Sequence, residues 1–216
     1  MDRVTLHVTT RAATEADVVF LTEVVIEATL DQGRLPDDFD EVDFRAGFGA
    51  WTTEQLPGDG AGSSISVVQV DGEDAGRLRV VRRGGLVEIA GLQLLPEHQS
   101  QGVGRTVVSF VVAQARADGL PVELGVEKDN PRARAFWERC GFAYVGEDET
   151  EHRLRLAAQV RPCDPRTCAL RRERPVTERP DPVRAKAFPS SSGAGVTASR
   201  SSIGRRVAVG HAWRSR

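Results

Sequence analysis

The 216-residue chain is 40% apolar and 28% charged with a net charge of −2, a composition that suits one domain with a single core. It has no apolar run of about 18 residues and no basic start followed by an apolar block, so we expect neither a membrane span nor a signal peptide. Its three cysteines are odd in number and lack zinc-ligand spacing, so we expect a cytoplasmic protein without a metal site.

Apolar periodicity predicts alternating strands and helices as far as residue 158. The predicted strands are 4–11, 64–70, 76–81, 86–95, 121–127, 142–146 and 152–156. The predicted helices are 15–30 (with Thr14 as N-cap), 39–55, 101–118 and 131–140. The dipeptides at 71–72 and 84–85 predict hairpin turns. This order predicts an α/β (α+β) fold with a mixed sheet and helices packed on it.

Residues 159–216 differ in composition from the part that precedes them. Residues 161–216 contain 13 Lys and Arg but only 4 Asp and Glu, and the segment is rich in Pro, Ser, Gly and Arg. Such a composition predicts a disordered tail appended to a domain at 1–158. A basic tail could contact nucleic acid, but a solvated extension is the interpretation that we favour.

A glycine-containing loop follows the strand at 86–95 and leads into the helix at 101–118. Unpaired N–H groups and the positive end of the helix dipole make this helix start a candidate anion cradle, with Gly102 and Gly104 allowing close approach. The alternative is a helix start whose glycines serve tight packing. A P-loop is excluded because Gly-Lys-Ser/Thr is absent. A dinucleotide fingerprint would have Gly where Val107 stands, although Glu127 or Asp129 could mimic its ribose-binding acid.

The loop and its surroundings resemble the GNAT superfamily of N-acetyltransferases. Residues 99–104 (QSQGVG) fit the Q/R-x-x-G-x-G/A signature of that superfamily. The preceding VEIAGLQLLPE is similar to its fourth strand. The following VELGVEKDNPRARAFWERCGFAYVGE is similar to its fifth strand, Asn-containing helix and final Gly-Phe strand. The resemblance covers about 8–158 and is strongest over 86–147.

The resemblance implies a mostly antiparallel sheet with splayed central strands, and acetyl-CoA as the co-substrate. The pyrophosphate would lie on the amides of residues 101–106, and the pantetheine arm would fill the gap between the strands. The cofactor contacts implied in this way are Leu94, Gln99, Gln101, Gly102, Val103, Gly104, Arg105, Thr106, Asn130 and Trp137. Asn130 before Pro131 is also the pattern of a helix N-cap, and both roles stay open.

Glu88 matches the glutamate that serves as base in histone-type members of the superfamily. It lies six residues before Leu94, so strand alternation predicts that the two side chains share a face. An outward-facing or edge glutamate is the alternative. Trp137 occupies the position where many members have a tyrosine acid, so we expect a pocket wall and core residue and no tyrosine acid. His98 and His152 are weaker candidate bases.

An acidic cluster at 37–43 lies where the resemblance places the acceptor pocket. It contains Asp37, Asp38, Asp40, Glu41 and Asp43. Such a rim favours a polyamine-like or aminoglycoside-like small amine, whereas acids that stabilise a helix dipole are the alternative. The sequence thus predicts an acetyl-CoA-dependent N-acetyltransferase, monomeric or homodimeric, that transfers acetyl directly to a primary amine. A non-catalytic acyl-CoA-binding or sensing domain remains the alternative.

Overall fold

The computed structural model describes residues 6–56 and 62–158, which form a seven-stranded sheet flanked by four helices. The strands are β1 Val8–Ala12, β2 Ser63–Val70, β3 Glu73–Arg83, β4 Leu86–Leu94, β5 Val122–Glu127, β6 Ala143–Glu147 and β7 Glu151–Leu156. The helices are α1 Val18–Asp31, α2 Glu41–Gln55, α3 Val103–Ala117 and α4 Pro131–Arg139. The predicted order of strands and helices is confirmed, whereas the tail at 159–216 lies outside the described residues.

Helix starts differ from the prediction for local reasons. The first turn of the helix predicted at 15–30 is a 3-10 turn, where both the N–H and the hydroxyl of Thr14 donate to Asp17 Oδ2 at 2.8 and 2.9 Å. Helix α2 begins at Glu41 because Asp40 is its N-cap and accepts the N–H of Asp43 at 3.0 Å. Helix α3 begins at Val103, after the left-handed residue Gly102.

The sheet has the order β1-β2-β3-β4-β5-β7-β6, and every neighbouring pair except β4–β5 is antiparallel. Both predicted hairpin turns are confirmed. Asp71 and Gly72 have φ of 52° and 90°, and Gly84 and Gly85 have φ of 56° and 80°. Two consecutive positive φ values are those of the tight turn that matches strand twist.

Strands β4 and β5 open away from each other. Their parallel pairing covers two positions, Val87 with Val122 and Glu88 with Glu123. Beyond these positions β5 continues to pair with β7, up to Glu127 with Glu151, while β4 continues to pair with β3. The predicted splay of the central strands is therefore confirmed, and it leaves an edge of β4 without a strand partner.

A β-bulge in β4 changes which side chains share a face. Arg79 pairs with Gly91 and Val80 pairs with Ile89, so Ala90 is an extra residue. Glu88 pairs with Val81 of β3, and Leu94 pairs with Gly76. These two partners are five residues apart on β3, an odd number, so they lie on opposite faces of the sheet. The prediction that Glu88 and Leu94 share a face is wrong, because one inserted residue reverses the alternation.

The two faces of the sheet are covered by different helices. On one face Val87, Ile89, Leu92 and Leu94 pack with the apolar side of α3 in the main core. On the other face Leu21 of α1 packs against Ile65 and Val67 of β2, and the aromatic side chains of α2 lie over β3. The bulge thus assigns Glu88 to the face covered by α1 and α2.

Candidate functional site

A cleft of about 470 Å³ lies where β4 and β5 diverge. Its walls come from the end of β4, the start of α3, one side of α4 and the last turn of α1. The lining residues are Ala28, Gln32, Leu92, Gln93, Leu94, Gln99, Ser100, Gly102, Gly104, Arg105, Asn130, Arg132, Ala133, Phe136, Trp137, Arg139 and Cys140. Seven of the predicted site residues are in this set, whereas Glu88, Gln101, Val103 and Thr106 are not.

The start of α3 presents unpaired backbone amides to the cleft. In an α-helix that begins at Val103, the N–H groups of residues 103–105 have no carbonyl partner within the helix. The next amide, that of Thr106, donates to Gly102 O at 3.0 Å. The predicted cradle over 101–106 is therefore too long at its C-terminal end, because the helix itself uses the N–H of Thr106.

The two glycines of the loop serve different purposes. Gly102 has φ of 89°, which an L-residue rarely adopts, and open space surrounds the position that a Cβ would take. At Gly104 a Cβ would lie 3.3 Å from the ring of Phe136, so this glycine allows α4 to pack closely on α3. The tight-packing interpretation therefore describes Gly104, whereas the anion-cradle interpretation stays a prediction at Gly102.

The two loop glutamines are already engaged with the protein. Gln99 Nε2 donates to Leu94 O at 3.0 Å, and its Oε1 accepts from Arg132 Nη2 at 3.1 Å. The side chain of Gln101 turns away from the cleft and donates to Glu97 O. Gln99 thus joins the end of β4 to α4, and Gln101 can contribute to a ligand only through its backbone.

Three arginines line the cleft, one of which, Arg132, lies 3.5 Å from Asp31 Oδ2. Arg105 of α3 and Arg132 and Arg139 of α4 all line it, and Arg105 Nη2 donates to Arg139 O at 3.0 Å. Sequence reasoning missed both arginines of α4. Their spacing of seven residues, two helical turns, was the available signal, because it places both on one side of the helix.

Asn130 is the N-cap of α4, as one of its two predicted roles required. Its Oδ1 accepts the N–H of Ala133 at 2.9 Å, while Nδ2 donates to Gln32 Oε1 at 3.0 Å. Because Gln32 follows the last residue of α1, this contact ties α1 to α4 across the cleft. Asn130 lines the cleft, with one N–H of its amide group remaining for a ligand.

Aromatic rings form the inner wall of the cleft. Trp137 is 8% exposed and contacts Phe136 and Phe142 edge-on, with ring centroids 5.0 and 5.5 Å away. Trp137 is therefore both a core residue and part of the wall, as predicted. Tyr144 lies outside the cleft, 48% exposed, with its hydroxyl 3.2 Å from Glu147 Oε2.

Cys140 lines the same cleft although it is distant from the glycine loop in sequence. Burial raises the pKa of its thiol, while the nearby Arg105 and Arg139 act in the opposite direction. A raised pKa leaves little thiolate near neutral pH. Cys140 is consequently a poor nucleophile in this environment.

The cleft fits a long ligand with an anionic end. Free amides and arginines at one end suit a pyrophosphate, and the unpaired edge of β4 suits amide groups further along.

Comparison with known proteins agrees with this geometry. The model of the acetyltransferase (GNAT) family matches residues 30–142, more than half of the chain. The chain belongs to the GNAT acetyltransferase family.

Solved GNAT structures share the fold. The PaiA N-acetyltransferase of Thermoplasma acidophilum, solved in complex with coenzyme A, is similar with a TM-score of 0.62 and 16% identity over 70% of this chain and 99% of that one. A chimaera of the spermidine N-acetyltransferase SpeG of Vibrio cholerae and hSSAT has a TM-score of 0.55 and 18% identity, covering 70% of this chain and 95% of that one. An acetyltransferase of Thermus thermophilus has a TM-score of 0.56 and 18% identity, covering 69% of this chain and 96% of that one.

The candidate base of this GNAT domain, Glu88, is not among the residues that line the cleft. Glu88 is largely buried, with its side chain 13% exposed, and pairs with Arg83 Nη2 at 2.6 Å. It lies at the point where β4 and β5 still pair, before the splay opens. The role of Glu88 as the base therefore stays a prediction.

Two of the five acids in the acidic cluster stabilise helix α2 in the described part of this GNAT domain. Asp40 caps α2, and Glu41 pairs with Arg45 at 2.8 Å within the same helix. None of the five acids lines the cleft. The helix-stabilising interpretation is supported, and the cluster gives no direct support for a cationic acceptor.

The weaker base candidates also lie outside the cleft lining. His98 ends the 3-10 turn after β4, and His152 on β7 contacts Glu147 Oε2 at 3.1 Å.

None of the helices within residues 6–56 and 62–158 has the length and apolar character needed to cross a bilayer.

Proposed function

We propose that the protein is an acetyl-CoA-dependent N-acetyltransferase that acetylates a primary amine of a small molecule. One observation carries the proposal: the free amides of α3 and the unpaired edge of β4 open onto the same cleft. A pyrophosphate needs the first feature and a peptide-like pantetheine arm needs the second. Membership of the GNAT family supports this assignment. We place the activity in residues 1–158 and regard 159–216 as an appendage.

The binding roles follow the cleft from its open end inward. The amides of 103–105, together with Arg105, Arg132 and Arg139, would hold the phosphates. The β4 edge beyond Glu88 would pair with the amides of the pantetheine arm, although Leu94 O already accepts a bond from Gln99. The bound co-substrate supplies an activated acetyl thioester.

The chemical roles fall on Glu88 and on the splayed strand. Glu88 would accept the proton of the acceptor amine, directly or through a water molecule. Backbone N–H groups of β4 near the bulge at Ala90 would stabilise negative charge that develops on the acetyl oxygen. Trp137 contributes a wall and no proton. The thiolate needs no tyrosine acid, because a thiol with a pKa of about 8.5 leaves readily.

Direct transfer is favoured over a covalent acetyl-enzyme. Cys140 is the one cysteine among residues 6–56 and 62–158, and burial raises the pKa of its thiol. A neutral thiol is a weak nucleophile, so an acetyl-cysteine intermediate has no support. The amine would therefore attack the thioester while both substrates are bound.

A non-catalytic acyl-CoA-binding domain is the second candidate, favoured by Trp137 at the position of the usual tyrosine acid. The two functions differ in turnover. Full-length protein is incubated with acetyl-CoA and a panel of amines, and acetylated products are quantified by mass spectrometry. We expect enzyme-dependent acetylation of at least one amine. Acetyl-CoA binding without acetylation of any amine would favour the binding domain.

A further inference from the structure

A buried arginine lies next to the cleft without an acidic partner. Arg77 of β3 is 4% exposed, and none of the described carboxylates forms an ion pair with it. Its Nη1 donates to Gln93 Oε1 at 3.1 Å, and its Nε has no hydrogen-bond partner. Burial, followed by the charge of Arg79, lowers the pKa of Arg77 to about 9. A buried cation without a counter-ion is strongly unfavourable, so the site invites an anion.

The surroundings of Arg77 explain its position but do not neutralise its charge. The guanidinium carbon lies 5.3 and 5.8 Å from the ring centroids of Phe48 and Trp51 on α2. Ring faces attract a cation, yet they offer no strong acceptor for the Nε–H group. The aromatic rings therefore hold the guanidinium in place and leave its charge uncompensated.

The guanidinium lies against the bulged part of β4. A Cβ placed on Gly91 would be 2.8 Å from Arg77 Nη1, so the guanidinium occupies the space directly above this glycine. Gly91 follows the bulge residue Ala90, and Gln93 is one of the residues that line the cleft. Arg77 does not itself line the cleft, but it hydrogen-bonds to a residue that does. A carboxylate that replaced this neutral acceptor would form a stronger, charge-assisted bond.

We propose that Arg77 binds a carboxylate of the acceptor, so that the substrates are small primary amines that carry a carboxylate. This inference rests on the proposed acetyltransferase function and names the substrate class of the same site. Glu88 lies on the same face of the sheet as Gly91 and Gln93, because β3 residues 81, 79 and 77 pair with them in turn. One substrate can then present its carboxylate to Arg77 and its amine toward Glu88.

The same geometry disfavours polyamines. A cationic acceptor would add positive charge beside Arg77, whose own charge has no acidic partner among the described residues. The acidic cluster that would attract a polyamine does not line the cleft. An acceptor with a carboxylate compensates the buried charge, whereas spermidine increases the repulsion.

The test compares matched acceptors on the full-length protein. The panel contains α-, β- and γ-amino acids, the carboxamide of each and spermidine, with product measured by mass spectrometry. We expect kcat/KM for at least one amino acid to exceed that of its carboxamide and of spermidine by about 100-fold or more. Equal values for acids and amides, or a preference for spermidine, would overturn the carboxylate assignment and leave the acetyltransferase function intact.

Variants test whether Arg77 is responsible. Arg77→Gln should raise KM for the preferred amino acid about 100-fold and abolish the preference over the carboxamide, while Arg77→Lys should retain part of it. Arg82→Gln is the control, because Arg82 is on the same strand but pairs with Asp118 on the opposite face. Acetyl-CoA-induced thermal stabilisation of each variant shows that it folds. An unchanged preference in a folded Arg77→Gln protein would overturn the assignment.

A binding measurement separates the two proposals if no amine is acetylated. The thermal melt of the CoA complex is recorded with the amino acids and with their carboxamides. Absence of turnover would contradict the proposed function. If the amino acids stabilise the complex, their carboxamides do not, and the effect is lost in Arg77→Gln, a carboxylate site at Arg77 is still supported. If both ligand sets stabilise the complex equally, or neither does, the carboxylate site is overturned.

Discussion

The two halves of the proposed site are built from different chemistry. The proposed cofactor side, formed by the start of α3 and by α4, offers backbone amides and the side chains of Arg105, Arg132 and Arg139. The proposed acceptor side, the face of β3 and β4 covered by α2, has one buried guanidinium, Arg77, under aromatic rings. The first arrangement suits a pyrophosphate, and the adjacent free edge of β4 restricts the ligand to one that also has a peptide-like arm. The second is selective, because a buried charge discriminates between ligands that satisfy it and ligands that do not.

The comparison predicts that changes on the acceptor side alter turnover without altering acetyl-CoA binding. Glu88→Gln should lower kcat about 100-fold, with the largest deficit at low pH, where less of the amine is already deprotonated. The affinity for acetyl-CoA should stay within about twofold, since Glu88 does not line the cleft. Steady-state rates over a pH series and calorimetric titration measure both quantities.

Glu73→Gln serves as the control for Glu88→Gln, because Glu73 is an exposed residue at the far end of β3. It should leave kcat unchanged at every pH. If Glu88→Gln also has wild-type rates across the pH series, Glu88 takes no part in the proton transfer.

Changes at the start of α3 should weaken acetyl-CoA binding, which the Glu88 variant should leave intact. Gly102→Asp imposes a left-handed backbone on a residue with a Cβ and adds negative charge at the cradle. We expect the Kd for acetyl-CoA to rise about 30-fold, equivalent to about 2 kcal/mol. Calorimetric titration with acetyl-CoA provides the measurement.

Gly72→Asp is a close match for this backbone strain. Gly72 has φ of 90°, against 89° for Gly102, and open space surrounds the Cβ position in both. Gly72 lies in the β2–β3 turn, outside the cleft lining, so its variant should bind acetyl-CoA normally. Equal affinities for the two variants would refute the phosphate cradle at α3.

The smallest effect is expected at the wall that both sides share. Trp137→Phe retains an aromatic core residue beside Phe142 and removes the indole N–H. Because the N–H has no assigned catalytic role, kcat should change less than about threefold, with a loss of about 1–2 kcal/mol in unfolding free energy. A tenfold or larger decrease in kcat in a protein that still binds acetyl-CoA would assign the indole a part in the chemistry.

Much of the cleft lining at α3 and α4 could be predicted from the sequence because its parts are close together in the chain. Residues 99–104 contain the signature, and Gly102, Asn130 and Trp137 line the cleft as expected. Errors arose where a side chain or amide found an internal partner. Thr106 bonds to Gly102 O within the helix, and Gln101 turns back to Glu97 O. Such competition is decided by local geometry that periodicity does not encode.

The buried position of Arg77, on which the proposed acceptor side depends, could not be predicted, since it arises from tertiary packing. Arg77 and Arg79 alternate with Leu78 and Val80, a pattern typical of a strand with one solvent-facing side. Helix α2 covers that side and buries Arg77. The bulge at Ala90, by contrast, left a signal in the sequence: the core-facing apolar positions of β4 are 87, 89, 92 and 94, so their spacing changes from two residues to three across Ala90 and Gly91.

The central claim is that the glycine loop and the splayed strands form an acetyl-CoA site. A thermal melt of the full-length protein with acetyl-CoA, CoA, NAD and no ligand tests it most directly. A ligand at about 100 times its Kd should stabilise the native state by about 2.7 kcal/mol. The account predicts a clear increase in Tm with acetyl-CoA and CoA and none with NAD. No shift with either CoA species, or a shift with NAD alone, would contradict it.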